Sequence, residues 1–238
     1  MVSEVDSVLR LQGVQCRRGK QVLLEDVDVT FKRGIVTGLI GSNGVGKSTL
    51  MSTIIGDLSA EAGQITYGGV PIQKISQRSN IFGVVMESHG LPEGIRVSEL
   101  IRYWADVHKV SKSEVDSLRE TLRVNVFWSK KIKKLSTGMR RRVELVLALL
   151  PDPEVVILDE PFNGLDIDGI DEVSEIIRSL KNKRKIILLT THTMSEVDQL
   201  VDRLYALHNK RLNELHFDKG VLGSSEAAYR YLLEGMNK

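Results

Sequence analysis

The stretch Gly41-Ser42-Asn43-Gly44-Val45-Gly46-Lys47-Ser48 fits the pattern G-x-x-x-x-G-K-[ST]. It follows an apolar run at 35–40 that predicts a buried strand, and it leads into a segment from about Lys47 that predicts a helix. Glycines let successive backbone N–H groups point at one phosphate, and a helix N-terminus adds partial positive charge. The Lys47 ammonium can reach the β- and γ-phosphate oxygens, and the Ser48 hydroxyl can bind Mg²⁺. We therefore predict a phosphate-binding loop over 41–49, with Thr49 at its helical end.

An apolar run that ends in two carboxylates supplies the second part of such a site. Residues 155–158 predict a strand buried on both faces, followed directly by Asp159 and Glu160. Acids at the carboxyl end of a parallel strand lie where nucleotides bind in such sheets. Because side chains alternate in direction along a strand, Asp159 can hold the metal while Glu160 acts on the attacking water. A solvated acidic turn before Pro161 is the alternative that this segment alone leaves open.

The order of the remaining segments predicts an α/β fold with an insertion of helices. Alternating apolar residues predict two strands at 8–14 and 22–31, joined by a basic turn. The buried strand before Asp159 and another at 186–189, each preceded by a helix, favour a mostly parallel sheet. Between about 92 and 150 the pattern is helical, and we attribute its Trp104 and its leucine stripe to packing. Towards the C-terminus the spacing predicts a helix at 196–201, a strand at 204–207 and a helix at 225–233.

Composition places the chain among ordinary globular proteins. Of its 238 residues, 42% are hydrophobic and 27% are charged, which excludes a disordered or collagenous chain. The net charge of +2 gives no general case for nucleic-acid binding, and the one cysteine, Cys16, excludes an internal disulfide. No apolar run approaches the roughly 18 residues of a membrane span, and the N-terminus lacks a leader-like apolar segment. We therefore expect a soluble intracellular protein that reaches a membrane only through a partner.

Three basic clusters invite a nucleic-acid or lipid interpretation. Since acids nearly match bases along the chain, we interpret these clusters instead as solvated faces and turns. Two of them flank residues 135–139 and could steer a nucleotide or meet acidic groups on a partner subunit. The clusters lie at 130–134, 140–142 and 181–185.

With these motifs in order, the chain from about residue 8 to 210 resembles the ATP-binding subunits of ABC transporters, and in particular their exporter branch. Leu135-Ser136-Thr137-Gly138-Met139, directly before a predicted helix, resembles the signature motif of that family. Asn163-Gly164-Leu165-Asp166 resembles its D-loop, and His192 stands where the family has its switch histidine.

The resemblance implies the fold class and the domain organisation. The fold would be α/β, of the P-loop NTPase (RecA-like) type: a mostly parallel sheet core with an N-terminal antiparallel β region and a helical insertion subdomain. The chain would be a single domain over 1–238. Its core would cover about 1–91 and 151–238, and the helical subdomain that carries the signature would cover about 92–150.

The resemblance also implies cofactors and partners. ATP with Mg²⁺ would lie between two subunits packed head to tail, and we expect a homodimer. Ser136 and the Gly138 amide of one subunit would bind the γ-phosphate of the ATP held by the loop of the other. Glu160 would act as general base or water-orienting carboxylate, and His192 would contact the γ-phosphate. A transmembrane permease would hold the chain at the inner, cytoplasmic face of the cell membrane, and no specific nucleic acid is expected as a partner.

Several positions depart from the commonest residues of the family. Glu87 stands where a glutamine usually meets the metal, and a carboxylate there could bind Mg²⁺ directly or repel the γ-phosphate. Arg17 or Arg18 stands where an aromatic side chain usually meets adenine, and a guanidinium, which we assign to Arg18, can stack on the base. Thr137 and Met139 are uncommon in the signature, but its serine and its second glycine, which bind phosphate, are present.

The function that follows is ATP binding and hydrolysis that energise a separate permease, with export of peptide, drug or antibiotic-like cargo as the expected task. One alternative is a soluble ABC-type ATPase that acts on ribosomes or DNA. Such proteins usually carry two ATPase units or long coiled coils, and 238 residues hold neither. Another alternative is a regulatory module that responds to ATP but hydrolyses it poorly, which the carboxylate of Glu87 keeps open.

Overall fold

The computed structural model describes residues 8–86, 90–192 and 194–235. By its contacts the chain divides into two compact units, one made of Met1–Arg78 with Ile177–Lys238 and the other of Ser79–Ile176. The segment predicted as the helical subdomain, 92–150, lies inside the second unit. That unit extends further on both sides because it also contains two strands that pair with each other. The single domain over 1–238 stays a prediction.

Ten strands and seven α-helices form in the described residues. The strands are β1 (Leu9–Arg18), β2 (Gln21–Phe31), β3 (Val36–Ile40), β4 (Ala62–Tyr67), β5 (Val70–Pro71), β6 (Phe82–Val85), β7 (Val155–Leu158), β8 (Ile186–Thr190), β9 (Arg203–His208) and β10 (Arg211–Leu215). The helices are α1 (Lys47–Ile55), α2 (Val97–His108), α3 (Lys112–Thr121), α4 (Thr137–Leu149), α5 (Ile167–Asn182), α6 (Met194–Leu200) and α7 (Ser224–Gly235). Within the described ranges, no helix combines the length and the apolar character needed to cross a membrane.

The first unit contains an antiparallel sheet in the order β2-β1-β4-β5. Leu9 of β1 stands opposite Phe31 of β2 and Tyr67 of β4. One face of β1 is fully buried, which is the burial expected of a strand with apolar alternation. The buried residues of that face are Leu9, Leu11, Val14 and Cys16. The predicted N-terminal antiparallel region is therefore confirmed.

A mostly parallel group of strands, in the order β10-β9-β3-β8, lies in the same unit. Strand β3 pairs in parallel with both β8 and β9, whereas β10 is antiparallel to β9. Every residue of β3 and β8 is buried, which explains why their apolar runs show no alternation. Strand β10 follows β9 through Asn209 and Lys210, whose φ angles of 47° and 66° are typical of a tight hairpin turn.

In the second unit, β6 and β7 pair in parallel and α4 packs on β6. A Cβ at Gly83 would stand 2.4 Å from the Ala148 carbonyl oxygen, so this close approach of helix and strand requires glycine. The indole Nε1 of Trp104 in α2 donates to the Leu147 carbonyl oxygen of α4 at 3.0 Å. The packing role predicted for Trp104 is therefore confirmed.

A capping box begins α3. The Ser111 backbone N donates to Glu114 Oε2 at 2.9 Å, and the Glu114 backbone N donates to Ser111 Oγ at 3.3 Å. Hydrogen bonds from the side chain and the backbone of Ser111 hold the pKa of the Glu114 carboxyl below its usual value. The two residues thus satisfy amides that a helix start leaves without intrahelical partners.

The three basic clusters differ in exposure. The lysines within 130–134 are exposed, as predicted. For the cluster at 140–142 the prediction of a solvated face is wrong, because the Arg141 and Arg142 side chains are only 8% and 19% exposed and pair with Glu144 and Glu172. In the third cluster, Lys185 is buried. Part of the basic sequence therefore serves internal contacts rather than solvation.

Candidate nucleotide site

The predicted phosphate-binding loop joins β3 to α1 in the first unit. Its lysine turns back over the loop, and Lys47 Nζ donates to the Gly41 carbonyl oxygen at 2.7 Å and to the Ser42 carbonyl oxygen at 3.4 Å. The Lys47 side chain is nearly buried, whereas residues 42–44 are exposed. An ammonium group anchored inside an open loop can meet phosphate oxygens. The strand, loop and helix that the sequence predicts are confirmed.

Two glycines are required by the path of this loop. Gly41 has a φ of 153°, and a Cβ there would stand 2.7 Å from the Leu207 carbonyl oxygen. Gly46 has a φ of 118° and is the N-cap of α1, where it makes no side-chain capping hydrogen bond. Without a capping oxygen, nothing on the N-cap competes with a phosphate for the first amides of the helix. The loop is therefore a cradle that fits a phosphate group.

Strand pairing brings His192 to the same sheet edge as the loop. Leu39 of β3 stands opposite Thr190 of β8, and the two strands are parallel. The loop begins at Gly41 and the histidine follows two residues after Thr190, so both leave the sheet at its carboxyl edge. The intervening Thr191 is buried and His192 is exposed. These two predicted parts of the site are therefore neighbours in the fold.

The predicted acids end β7 in the second unit. The Asp159 backbone N donates to the Val85 carbonyl oxygen at 2.8 Å, and the residue is only 4% exposed. A solvated acidic turn is therefore the wrong description of Asp159. Glu160 is half-buried and has a φ of 50°, in the left-handed region that residues other than glycine seldom adopt. Its carbonyl oxygen accepts from the Asn163 backbone N at 3.2 Å, which closes a turn.

The signature-like and D-loop-like segments pack against each other within the second unit. Ser136 is the N-cap of α4, and its Oγ accepts from the Met139 backbone N at 3.3 Å. A Cβ at Gly164, whose φ is 72°, would stand 2.7 Å from Thr137 Cγ2. The uncommon threonine of the signature therefore occupies the space beside this glycine. Both segments form one surface at the N-terminus of α4.

A cavity of about 540 Å³ opens at that surface. Two arginines line it, Arg123 and Arg142, and both pair with the carboxylate of Glu172, at 2.8 Å and 2.9 Å. Two guanidinium groups carry more hydrogen-bond donors than one carboxylate can use, and the lining also contains the carboxylate of Asp166. Sequence analysis missed Arg123, whereas Arg142 belongs to the basic cluster 140–142 that could steer a nucleotide and follows Gly138 by one helical turn. Other residues of the lining are Ser136, Gly138 and Gly164.

The donors predicted for Mg²⁺ are the Ser48 hydroxyl and the carboxylates of Asp159 and Glu87, of which Glu87 lies outside the described residues. Ser48 is exposed at the start of α1 in the first unit, and Asp159 lies in the second. In the part of the chain that the structure describes, no three His, Cys, Asp or Glu side chains gather into a metal site. Mg²⁺ in nucleotide sites is usually held by one or two protein oxygens together with phosphate oxygens. Hydroxyl and carboxylate oxygens are of the type that Mg²⁺ prefers, so Ser48 and Asp159, each taken by itself, suit this ion.

Two further predicted residues are described partly or not at all. Glu87 lies outside the described residues. The backbone of Arg18 pairs with Gln21 at the end of the β1–β2 hairpin. Its neighbour Arg17 has a half-exposed side chain and forms a 2.8 Å salt bridge with Glu61. The roles of Glu87 and Arg18 stay predictions.

Sequence analysis placed Arg141 in the basic cluster 140–142 but missed its contact with the acidic turn. Its Nη2 donates to the carbonyl oxygens of Asp159 and Glu160, at 3.2 Å and 2.9 Å. A signal was present in the helical spacing, because Arg141, Leu145 and Ala148 follow at i, i+4 and i+7 and share the buried face of α4.

Comparisons with known proteins identify relatives of this chain. A family model described as "ABC transporter" matches residues 24–163, and a second, described as "AAA domain, putative AbiEii toxin, Type IV TA system", matches residues 131–198. The chain is 31% identical over 212 residues to a lantibiotic transport ATP-binding protein of Streptococcus pyogenes, which covers 89% of this chain and 92% of the relative. It is 37% identical over 207 residues to Nod factor export ATP-binding protein I of Rhizobium johnstonii, covering 84% of this chain and 66% of the relative.

Solved structures give the same assignment. One, titled "Structure of ATP binding subunit of ABC transporter", superposes with a TM-score of 0.84 at 30% identity and covers 95% of this chain and 100% of that one. The fold is thus that of a P-loop NTPase, with a glycine-rich loop between a buried parallel strand and a helix. The chain belongs to the ABC transporter family. It is an ATP-binding subunit and an ATPase that energises a transporter, and the soluble ribosome- or DNA-acting alternative is not favoured.

Proposed function

We propose that this subunit holds ATP on the loop 41–49, binds Mg²⁺ through Ser48 and Asp159, and hydrolyses the nucleotide with Glu160. The observation that supports this most strongly is the pairing of β3 with β8, because it brings the phosphate loop and His192 to one sheet edge. Catalysis of phosphoryl transfer depends on placing charged and hydrogen-bonding groups around the γ-phosphate, and this edge supplies them.

Each group then has a defined task in the reaction. The Lys47 ammonium and the loop amides bind the β- and γ-phosphates, and Mg²⁺ neutralises part of their charge. A water oxygen forms a bond to the γ-phosphorus, and the bond from that phosphorus to the bridging oxygen breaks with its electron pair going to ADP. Glu160 orients the water and takes its proton, which passes to the released phosphate. His192 donates to a γ-phosphate oxygen and stabilises the charge that develops there.

A second copy of the chain completes each site in this proposal. The Ser136 hydroxyl and the Gly138 amide, at the N-terminus of α4, bind the γ-phosphate of the ATP held by the loop of that copy, head to tail. The cavity beside them has Arg123, Arg142 and the carboxylate of Asp166 in its lining. Such a homodimer lasts only while the γ-phosphate is present, so hydrolysis opens it.

The two residues that depart from the family pattern have roles here as well. Arg18 stacks on the adenine ring, and Glu87 adds a carboxylate oxygen to Mg²⁺. The variant Glu87→Gln distinguishes metal binding by Glu87 from the alternative in which the chain responds to ATP but hydrolyses it poorly. Turnover falls if the carboxylate binds the metal, and it rises if the carboxylate repels the γ-phosphate.

The partner in this proposal is a transmembrane permease, and the task is export. The names of two relatives, for lantibiotic transport and Nod factor export, support the exporter branch and a peptide, drug or antibiotic-like cargo. The chain then sits on the cytoplasmic face of the cell membrane, held there by the permease, and binds no specific nucleic acid. Co-purification with a membrane protein supports this partner, whereas association with ribosomes or DNA contradicts it.

Complementation between two inactive variants tests the shared site. Lys47→Ala removes the loop ammonium, and Ser136→Asp puts a negative charge at the signature while keeping a residue that caps helices well. Each variant alone should hydrolyse almost no ATP. Mixed in equal amounts, they should recover roughly a quarter of the parental turnover, because half of the dimers are mixed and each mixed dimer holds one complete site.

The controls make the outcome decisive. Lys32→Ala changes an exposed lysine of the same unit and should leave turnover at the parental level. If both site variants are folded and their mixture stays as inactive as either alone, the head-to-tail shared site is wrong. If Ser136→Asp alone keeps parental turnover, the signature does not contact the nucleotide.

A further inference from the structure

We propose that Arg141 is a positioning residue that fixes the backbone of the Asp159–Glu160 turn, so that the Glu160 carboxylate stays aimed at the attacking water. This inference rests on the role proposed above for Glu160. It concerns a residue of α4 that touches neither nucleotide nor water in the proposed mechanism and acts only through the turn.

The contacts of Arg141 go beyond those needed to compensate a buried charge. Its residue exposure is 6%, and one amino group, Nη1, donates to Glu144 Oε2 at 3.0 Å, which neutralises the guanidinium. The other amino group, Nη2, donates to two successive carbonyl oxygens of the acidic turn, at 3.2 Å and 2.9 Å. A planar fork of donors is suited to hold two acceptors at once, which a flexible ammonium does less well.

The turn needs such support because its backbone is strained. Glu160 has a φ of 50°, and an L-residue in the left-handed region costs roughly 1–2 kcal/mol. Strained residues persist where surrounding contacts over-determine them. The Glu160 carbonyl oxygen accepts from both Arg141 Nη2 and the Asn163 backbone N, so its peptide plane is held from two directions. The direction of the Glu160 side chain follows from that plane.

We therefore expect Arg141 to affect the rate of hydrolysis rather than the affinity for ATP. Displacement of a catalytic group by about 1 Å can cost roughly a hundredfold in rate, while nucleotide binding depends on the loop in the other unit. Loss of the Arg141 donors should therefore slow hydrolysis and leave the affinity for ATP nearly unchanged. Substitution of a residue with only a packing role would instead lower the free energy of unfolding, without slowing hydrolysis more than it weakens ATP binding.

The experiment compares Arg141→Met with Arg230→Met, the same chemical change at an exposed arginine of α7, where the side chain pairs with Glu226 instead. ATP dissociation constants come from equilibrium binding, and hydrolysis comes from single turnovers with protein in excess over radiolabelled ATP. We expect Arg141→Met to slow hydrolysis roughly ten- to a hundredfold with less than a threefold change in affinity. Arg230→Met should hydrolyse at the parental rate. Arg141→Lys, which keeps a donor, should recover part of the loss.

A second variant covers the risk that Arg141→Met leaves Glu144 unpaired and unfolds the chain. Arg141→Met combined with Glu144→Leu removes both charges, a change that proteins often tolerate. If this double variant is folded and slow, the carbonyl hydrogen bonds matter for catalysis and the inference stands. If it is folded and hydrolyses ATP at the parental rate, or if ATP affinity falls as much as the rate, the inference is overturned. Failure of this variant to fold also overturns it, because Arg141 then serves the fold.

Glu160→Gln in the same assay separates this inference from the proposed function. A parent that turns over beside an inactive Glu160→Gln chain confirms the premise, and Arg141 is then judged by its own variants. If Glu160→Gln hydrolyses ATP as the parent does, or the parent shows no turnover, the proposed role of Glu160 fails and the inference fails with it.

Discussion

Leu39 of β3 and Thr190 of β8 stand opposite each other in a parallel pair. They are distant in sequence, and no local pattern joins the glycine-rich loop after the first strand to the histidine after the second. The shared carboxyl edge makes them one site, as expected for parallel sheets whose ligands bind beyond the strand ends. The site is therefore a property of the sheet rather than of any one motif.

Replacement of His192 should slow hydrolysis more than it weakens ATP binding. In His192→Ala the donor to the γ-phosphate is lost, and removal of one such donor typically costs roughly a hundredfold in rate. Steady-state kinetics and equilibrium ATP binding measure the two effects. His216→Ala, an exposed histidine outside the site, is the matched control and should behave as the parent. Equal losses in rate and affinity for His192→Ala would show a role in binding instead.

The contact between Gly164 and Thr137 should appear as a coupling energy. Gly164→Ala places a Cβ 2.7 Å from Thr137 Cγ2 at a φ of 72°, so we expect a loss of about 2–3 kcal/mol in the free energy of unfolding. Thr137→Gly removes the obstructing methyl, and the double variant should regain about 1 kcal/mol relative to additivity.

Gly220→Ala is the control for backbone strain in that experiment. Its φ is 84° and no atom stands within 4 Å of the added Cβ, so only the strain of about 1 kcal/mol should remain. Urea unfolding of the parent and the four variants measures these free energies. Strict additivity of Gly164→Ala and Thr137→Gly would mean that the two segments do not press on each other.

Asp202 should make the stability of the protein depend on acid pH. Burial acts to raise the pKa of Asp202, but hydrogen bonds from the Lys181 and Lys219 ammonium groups and from the Val36 backbone N together lower it below its usual value. Because the pKa is lower in the folded chain, the stabilisation is present above the unfolded value of about 3.9 and is lost as the pH falls through the folded value.

The test is the free energy of unfolding of Asp202→Asn across pH. At pH 7 we expect a loss of about 2 kcal/mol, and the gap to the parent should shrink below about pH 4. Asp106→Asn changes an exposed carboxylate on α2 and should stay within about 0.5 kcal/mol of the parent throughout. A gap of constant size down to pH 2 would show that the Asp202 charge is not its cause.

The sequence was informative where structure is decided locally. The glycine and lysine spacing predicted the phosphate loop, and the continuous apolar run predicted β7. Each depends on residues within a few positions of one another, so composition and spacing carry the information.

The features that sequence analysis missed depend on contacts with residues far away in the chain. Strand β4 buries only Ile65 among its six residues, so it has no apolar alternation to detect. The arginines at 140–142 were predicted to form a solvated cluster. Arg141 is nevertheless buried, because the acidic turn eighteen positions later supplies its hydrogen-bond acceptors. Burial of a charged side chain follows from such a partner, and local sequence does not name it.

The most direct test of the central claim is ATP turnover by the purified chain beside Glu160→Gln, with dimerisation followed in the same samples by light scattering with ATP and Mg²⁺. The account predicts that the parent hydrolyses ATP, and that Glu160→Gln hydrolyses almost none yet forms a persistent dimer on ATP. Hydrolysis by Glu160→Gln at the parental rate, or a chain that turns over as a strict monomer, would contradict it.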